Sequence, residues 1–233
     1  MIATTVSIVA RCPRTAQLGV AAVTAGLGVG KLVPRAEAGA GAVATQALVN
    51  PYHGVDGLRL MGEGLSAREA LDRVIAVDPD RERRQTAMVD ARGGSAAWTG
   101  SGTLPWSGHT SRPGVSVQGN RLVGPEVLHV MLAAYEASGP DVALAARLLG
   151  ALEAAEAAGA DREGALSAAL VVVDSEAYPL WDLRIDRADD PVAALRDLYA
   201  VTLTDLLPHV LELPRRDQGA GAAAPGEGPP RWV

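Results

Sequence analysis

Short apolar runs of strand character alternate along this chain with longer stretches of helical period. Their order is strands, helix, strands, two helices, strands, helix. The first ten residues, Met-Ile-Ala-Thr-Thr-Val-Ser-Ile-Val-Ala, are β-branched and apolar almost throughout, the composition of a buried strand. Strand side chains alternate faces, so Thr5, Ser7 and Val9 share one side and Thr4, Val6, Ile8 and Ala10 the other. Two hydroxyls therefore line one side of a greasy strand. Such hydroxyls commonly do no more than bond a neighbour. The sharper reading is a nucleophile on an N-terminal strand, with a free terminal amine as its base. Further strands are predicted at 18–24, 40–49, 85–90, 95–99, 115–119, 167–174 and 180–186.

Helices are announced by their caps. Ser66-Ala-Arg-Glu69 is a capping box that starts a helix with Leu71, Val74 and Ile75 on one stripe, closed by Asp78-Pro79-Asp80. Pro125 stands at the first position of a second helix, with Val127, Met131 and Tyr135 along its face and His129 off it. Pro140 opens a third, to about residue 158, with Leu144, Leu148, Leu152 and Ala155 on one side. Asp190-Pro191 caps a last helix that turns Leu195, Leu198, Tyr199 and Leu206 inward. Strands come in hairpins and not singly between helices. That order predicts an α+β fold, with two antiparallel sheets stacked face to face under helical layers. A single domain spans 1–212, and the Pro/Gly/Ala-rich segment 213–233 is expected to be a disordered tail.

Composition narrows the picture. The 233 residues are 48% hydrophobic with no Phe and 3% aromatics, so the core must interlock small aliphatic side chains. A net charge of −6 with no basic run argues against nucleic acid as a partner. The lone Cys12 rules out an internal disulfide framework. No apolar run reaches the roughly 18 residues of a spanning helix, so no membrane partner is expected. A secretory leader pattern is not seen either, which makes the cytoplasm the expected location. His53, His109, His129 and His209 are scattered without ligand spacing, so neither a metal nor another cofactor is expected.

Polar clusters next to buried strands are the candidate chemistry. Thr24 ends the second strand. Gly26, Gly28 and Gly30 follow without the spacing of a phosphate loop, and read as a tight bend or as backbone N–H groups offered to a ligand. Thr45-Gln46 runs into Asn50-Pro51-Tyr52-His53-Gly54, either a turn or the polar side of a site. Pro105-Trp-Ser-Gly-His109 covers a pocket or fixes a long loop. Gln118-Gly119-Asn120 ends a strand, where the glycine allows close backbone approach.

Three stretches carry a family resemblance. Thr5-Val-Ser-Ile-Val-Ala-Arg11, Gly41-Ala-Val-Ala-Thr-Gln46 with Asn50-Pro51, and Val117-Gln-Gly-Asn120 followed by Gly124 and Glu126 resemble the bacterial DUF1028 family. The likeness runs from about Thr5 to Leu206. It implies the N-terminal nucleophile (Ntn) hydrolase-like fold, a four-layer αββα sandwich, and with it amide-bond hydrolysis. In that scheme the first residue of the mature chain attacks, its own α-amine takes the proton, and backbone N–H groups or an Asn hold the oxyanion. Thr5 matches the family's early Thr. Here Ile2-Ala3-Thr4 precede it, so Thr5 becomes terminal only by cleavage after Thr4 or with a later translation start. The family's Cys near the Pro-Trp pair stands as Thr103.

Two classes of function follow. In the first, the chain hydrolyses the C–N bond of a small linear amide, ureido or γ-glutamyl-like substrate. Thr5 is then the nucleophile and Asn120 the oxyanion donor. Ser7, Thr24, Thr45, Gln46, Asn50, His53, His109, Gln118 and Gly119 are candidates to position the substrate. In the second, the chain is a noncatalytic ligand-binding or assembly module on the same sandwich. Self-association is left open.

Overall fold

The computed structural model describes residues 4–160 and 164–216. Strands are numbered in chain order: β1 (Thr5–Arg11), β2 (Leu18–Thr24), β3 (Pro34–Glu37), β4 (Gly41–Ala47), β5 (Arg84–Asp90), β6 (Ser95–Thr99), β7 (Gly108–Arg112), β8 (Val115–Asn120), β9 (Ser167–Val173) and β10 (Trp181–Ile185). They form a six-stranded sheet ordered β10-β9-β2-β1-β8-β7 and a four-stranded sheet ordered β3-β4-β5-β6. Every neighbouring pair is antiparallel. The helices are α1 (Val29–Leu32), α2 (Pro51–Gly62), α3 (Ala67–Ala76), α4 (Glu126–Ala137), α5 (Leu144–Ala157), α6 (Pro191–Asp205) and α7 (Leu207–Leu211).

Alternation along each strand explains the layers. Val6, Ile8, Val117 and Leu170 point outward from the larger sheet and bury against Leu128, Leu148, Leu152 and Leu195 of α4, α5 and α6. Val43 and Met88 point outward from the smaller sheet and meet Leu58, Met61, Leu71 and Val74 of α2 and α3. The remaining inward faces meet each other through Val9, Val20, Ala22, Ala42, Ala44, Ala87 and Val89. The result is a four-layer αββα sandwich, two antiparallel sheets stacked between helical layers as the hairpin order predicted. Small residues fill the layer between the sheets, the packing that a core without Phe requires.

Several elements differ from the sequence expectation. Asn50-Pro51 does not punctuate a turn: Asn50 is the N-cap of α2, accepting from the Tyr52 N–H at 3.1 Å, and Pro51 takes the first turn. Two glycines of α2, Gly54 and Gly57, are close-approach positions. A Cβ on Gly57 would lie 2.7 Å from Met88 Cε and one on Gly54 2.5 Å from Arg35 Cδ, so these glycines leave room for both side chains between helix and sheet. The short α1 and β3 occupy the stretch between the second and third expected strands, and β7 occupies part of the expected long loop. The third long helix begins at Leu144, after a turn at Pro140. Leu206 is 45% exposed rather than inward, because α6 ends there and α7 turns away. Of the expected tail, residues 217–233 lie outside the described residues. Its first residues are tied down: the Tyr178 hydroxyl donates to Pro214 O at 3.2 Å and the Arg216 N–H to Glu176 Oε2 at 3.3 Å.

Leu148 is fully buried at the contact between α5 and β2, where a Cβ on Gly19 would come within 2.7 Å of its Cδ1. Leu148→Ala is expected to lower the unfolding free energy by about 2–5 kcal/mol in urea titration. Leu211→Ala, at a side chain 51% exposed, should change it by less than about 0.5 kcal/mol.

Candidate functional site

Strand β1 lies between β2 and β8, and the register sets Thr24 opposite Thr5 on one side and Asn120 opposite it on the other. Residues directly opposite in an antiparallel pair project to the same face. Thr24, Thr5 and Asn120 therefore form a polar row on the face that looks toward the smaller sheet. Thr5 Oγ1 and Thr24 Oγ1 are 2.9 Å apart, and the Thr24 hydroxyl lies 2.6 Å from Thr4 O. A carbonyl only accepts and a hydroxyl has one proton to give, so Thr24 donates to Thr4 O and Thr5 donates to Thr24. The Ala25 N–H donates to the same Thr4 oxygen at 3.1 Å. The carbonyl of the Thr4–Thr5 peptide bond is thus held by two donors, one of which carries the Thr5 hydroxyl.

Below this row the two sheets are joined by buried amides. The Ser7 hydroxyl donates to Gln46 Oε1 at 2.6 Å and accepts from Gln118 Nε2 at 3.3 Å, and Gln118 Nε2 also donates to Ala44 O at 3.0 Å. Gln46 Nε2 donates to Thr5 O at 3.1 Å and to Gln85 Oε1 at 2.7 Å. Gln85 Nε2 in turn reaches Gly119 O at 2.9 Å, Gly108 O at 3.0 Å and Thr99 Oγ1 at 3.0 Å. The backbone carbonyls at the ends accept only, which sets the orientation of Gln46 and Gln85 between them. Thr99 Oγ1 is 2.9 Å from His109 Nδ1, which brings the relay to the edge strand β7.

A cavity of about 240 Å³ opens on Thr5 and Thr24. Gly26, Leu27, Val29, Leu32 and Val33 line one side, and Ala47 and Val49 the other. Ala47 holds a left-handed φ of 65°, which turns the end of β4 so that Val49 joins the wall. A non-glycine residue there is held at a cost of about 1–2 kcal/mol, a strain often found beside functional sites. The glycine stretch is a bend: Ser167 Oγ clasps it by donating to Gly26 O at 2.7 Å and accepting from the Val29 N–H at 3.0 Å. The Gly26 N–H goes to Thr24 Oγ1 and the Gly28 N–H to Asp186 O.

The expected site residues thus divide. Thr5, Thr24, Ser7, Gln46, Gln118 and Asn120 share the inter-sheet face, and His109 joins them through Gln85 and Thr99. Gly119 contributes its carbonyl, while the room left by its missing side chain is taken by the Leu122 side chain. Thr45 alternates to the opposite face, where its hydroxyl donates to Asn50 O at 3.2 Å. Asn50 and His53 gather there around Asp78, beside a separate cavity of about 470 Å³ between α2 and α3. Asp78 Oδ2 accepts from Asn50 Nδ2 at 2.8 Å and Arg84 Nε at 2.9 Å, and His53 Nε2 stands 2.8 Å away, off the direction of a hydrogen bond. Gln85, Thr99 and the apolar cavity wall were missed from sequence. Gln85 did leave a signal, an amide on the inward side of a strand otherwise filled with Ala and Val. Among the described residues no group of three or more His, Cys, Asp or Glu is placed to hold a metal ion, and no helix is long and apolar enough to cross a membrane.

The model of DUF1028, a family of unknown function, matches residues 5–195. The chain belongs to the DUF1028 family. A crystal structure of a DUF1028 protein from Silicibacter pomeroyi is 36% identical and superposes with a TM-score of 0.83, covering 91% of this chain and 95% of that one. Anbu, the ancestral beta-subunit from Yersinia bercovieri, aligns at 12% identity and a TM-score of 0.43 over 90% of this chain and 98% of its own. No curated protein matches. The DUF1028 match begins at Thr5, the residue at the centre of the polar row.

Two measurements bear on these clusters. Gln46→Ala strips partners from the Ser7 hydroxyl, Thr5 O and Gln85 Oε1 at once, and each unsatisfied buried group costs about 1–3 kcal/mol. A loss of at least about 2 kcal/mol in chemical denaturation is expected. The second concerns His53 and Asp78. Burial lowers the His53 pKa, and the neighbouring Asp78 only partly restores it. Burial pushes Asp78 up, but bonds from Asn50, Arg84 and the Asp80 N–H outweigh it and hold its pKa at about 2. Both groups are depressed in the folded state, so the unfolded chain binds protons first. The His53 contribution is complete above about pH 6.5 and is lost as pH falls from there, and that of Asp78 is lost between about pH 3.8 and 2. Melting temperature should fall between about pH 7 and 5, and His53→Gln should flatten that slope.

Proposed function

We propose that DUF1028 residues around Thr5 form the active site of an Ntn-type amidohydrolase acting on a non-peptide C–N bond of a small molecule. The observation that carries this reading is the hydrogen-bonded set at the Thr4–Thr5 bond. The Thr5 hydroxyl is tied to Thr24, and Thr24 with the Ala25 N–H polarises Thr4 O. Scission of that bond makes Thr5 the first residue and frees its α-amine. An unperturbed α-amine titrates near pH 7.7–8.0, so a useful fraction is a base at neutral pH. That amine takes the Thr5 hydroxyl proton while Oγ1 attacks the substrate carbonyl carbon. The carbonyl oxygen becomes an oxyanion, for which the Asn120 amide, opposite Thr5 on the adjacent strand, is the candidate donor. The C–N bond then breaks, the leaving nitrogen collects the proton from the α-amine, and an ester remains on Thr5. Water, deprotonated by the same amine, attacks that ester; the acyl–Oγ1 bond breaks, the Thr5 oxygen takes the proton back from the amine, and the acid is released. Ser7, which shares the face but cannot expose an amine, supports through Gln46 and Gln118. A small-molecule substrate, no cofactor and a cytoplasmic setting accompany this reading.

The alternative is a noncatalytic ligand-binding or assembly module that keeps the sandwich without the chemistry. Intact mass of the purified protein separates the two. A mature chain starting at Thr5 is expected, and with it amidase activity that falls by at least about 10³-fold in Thr5→Ala and is weakened but retained in Ser7→Ala. Full activity in Thr5→Ala, or in protein that keeps Met1, sinks the mechanism.

A further inference from the structure

The cavity at Thr5 differs in chemistry from the larger cavities elsewhere. The one beside Asp78, of about 470 Å³, has Asp56, Arg59, Arg73 and Arg84 among its walls. Another, of about 660 Å³, has Arg35, Glu37, Asp182 and Arg184. Among the described residues none that lines the Thr5 cavity carries a charged side chain, and the only side-chain polar atoms there are the Thr5 and Thr24 hydroxyls. The Thr5 hydroxyl is bonded to that of Thr24, which in turn donates to Thr4 O. Its walls are aliphatic, with Leu27 and Leu32 at the rim 61% and 39% exposed and Val29 and Val33 buried behind them.

We infer that this cavity takes a small, uncharged aliphatic acyl group, so that the substrates are short-chain aliphatic amides and not γ-glutamyl or other acidic ones. The inference rests on Thr5 being the reacting residue, as proposed above. A carboxylate or ammonium buried between Leu27, Leu32, Val33 and Val49 would lose its hydration with no partner in return. An alkyl chain gains from the same walls. The volume sets a size limit. About 240 Å³ equals roughly eight waters at about 30 Å³ each, room for an acyl chain of roughly six carbons. That is below the usual range for drug-sized ligands, about 300–1,000 Å³.

The test has a kinetic arm and a binding arm. In the first, the wild-type protein is given acetyl, isovaleryl, hexanoyl, succinyl and γ-glutamyl p-nitroanilides. The expected kcat/KM rises from acetyl to isovaleryl by at least about 10-fold and is at least about 100-fold lower for the two acidic acyl groups. In the second, isovaleramide and glutamine are titrated calorimetrically into Thr5→Ala protein, which needs no chemistry. Isovaleramide should bind and glutamine should not, and Leu32→Glu, at a rim position that tolerates a charge, should abolish isovaleramide binding. Turnover of the γ-glutamyl or succinyl anilide as fast as the isovaleryl one, or binding of glutamine without isovaleramide, overturns the inference. If no anilide is cleaved but isovaleramide binds and Leu32→Glu removes it, the hydrolase reading fails and the ligand class stands. If none is cleaved and isovaleramide does not bind, the ligand class fails as well.

Discussion

The amide relay between the sheets is the constraint on which the site depends. Sandwiches of this kind are held by apolar contact, which has no direction and tolerates sliding. Gln46 and Gln85 add direction. Their amides reach from the smaller sheet to Ser7, Thr5 O, Gly108 O and Gly119 O of the larger one, at distances of 2.6–3.1 Å. A shift of one sheet over the other breaks several of these bonds together, and each broken bond leaves a buried polar group without water. Thr5 owes its position to this coupling, since its own carbonyl is one of the acceptors.

Small side chains make that coupling geometrically feasible. Ala22, Ala42, Ala44 and Ala87 line the facing sheets and let them approach closely enough for glutamine amides to span the gap. Larger residues at these positions would push the sheets apart and strand the amides. The same economy of size operates outside, where Gly57 brings α2 down onto Met88 and Gly19 admits Leu148 to β2. The absence of Phe is thus part of how the polar layer survives inside an apolar core.

The molecule separates two polar environments across one strand. On β4, Gln46 faces inward to the relay and Thr45 faces outward to Asn50. The outward cluster is ionic, centred on Asp78 with Arg84 and His53, and ties the start of α2 to the end of α3 and the start of β5. The inward one is neutral, built from amides and hydroxyls beside an apolar cavity. In the mechanism proposed above, neutral groups suit a base supplied by the freed α-amine of a chain terminus. A fixed charge nearby would pull that amine's pKa away from neutrality.

How far the sequence alone reaches can be judged from particular residues. Strand period placed Thr5 and Ser7 on one face, because alternation is a local property of extended backbone. Hairpin order was enough for two antiparallel sheets, and the Ser66–Glu69 capping box and Asp190-Pro191 located the helix starts, since caps are written within a few residues of the end they satisfy. The motifs around Thr5, Gln46 and Asn120 pointed to the family. Pairing across sheets was beyond reach. That Gln46 meets Gln85 and Ser7 while its neighbour Thr45 turns away depends on which strands stack, which no local pattern encodes. Asn50 and His53 are candidates because they follow a buried strand; that they lie with Thr45 on the far side of the smaller sheet, beside the Asp78 cavity, is decided by how α2 packs. The apolar cavity is wholly tertiary: Leu27 and Leu32 come from the segment between β2 and β3 that holds α1, Val49 from the one after β4, and only packing of β1 and β2 against β4 makes them walls around Thr5.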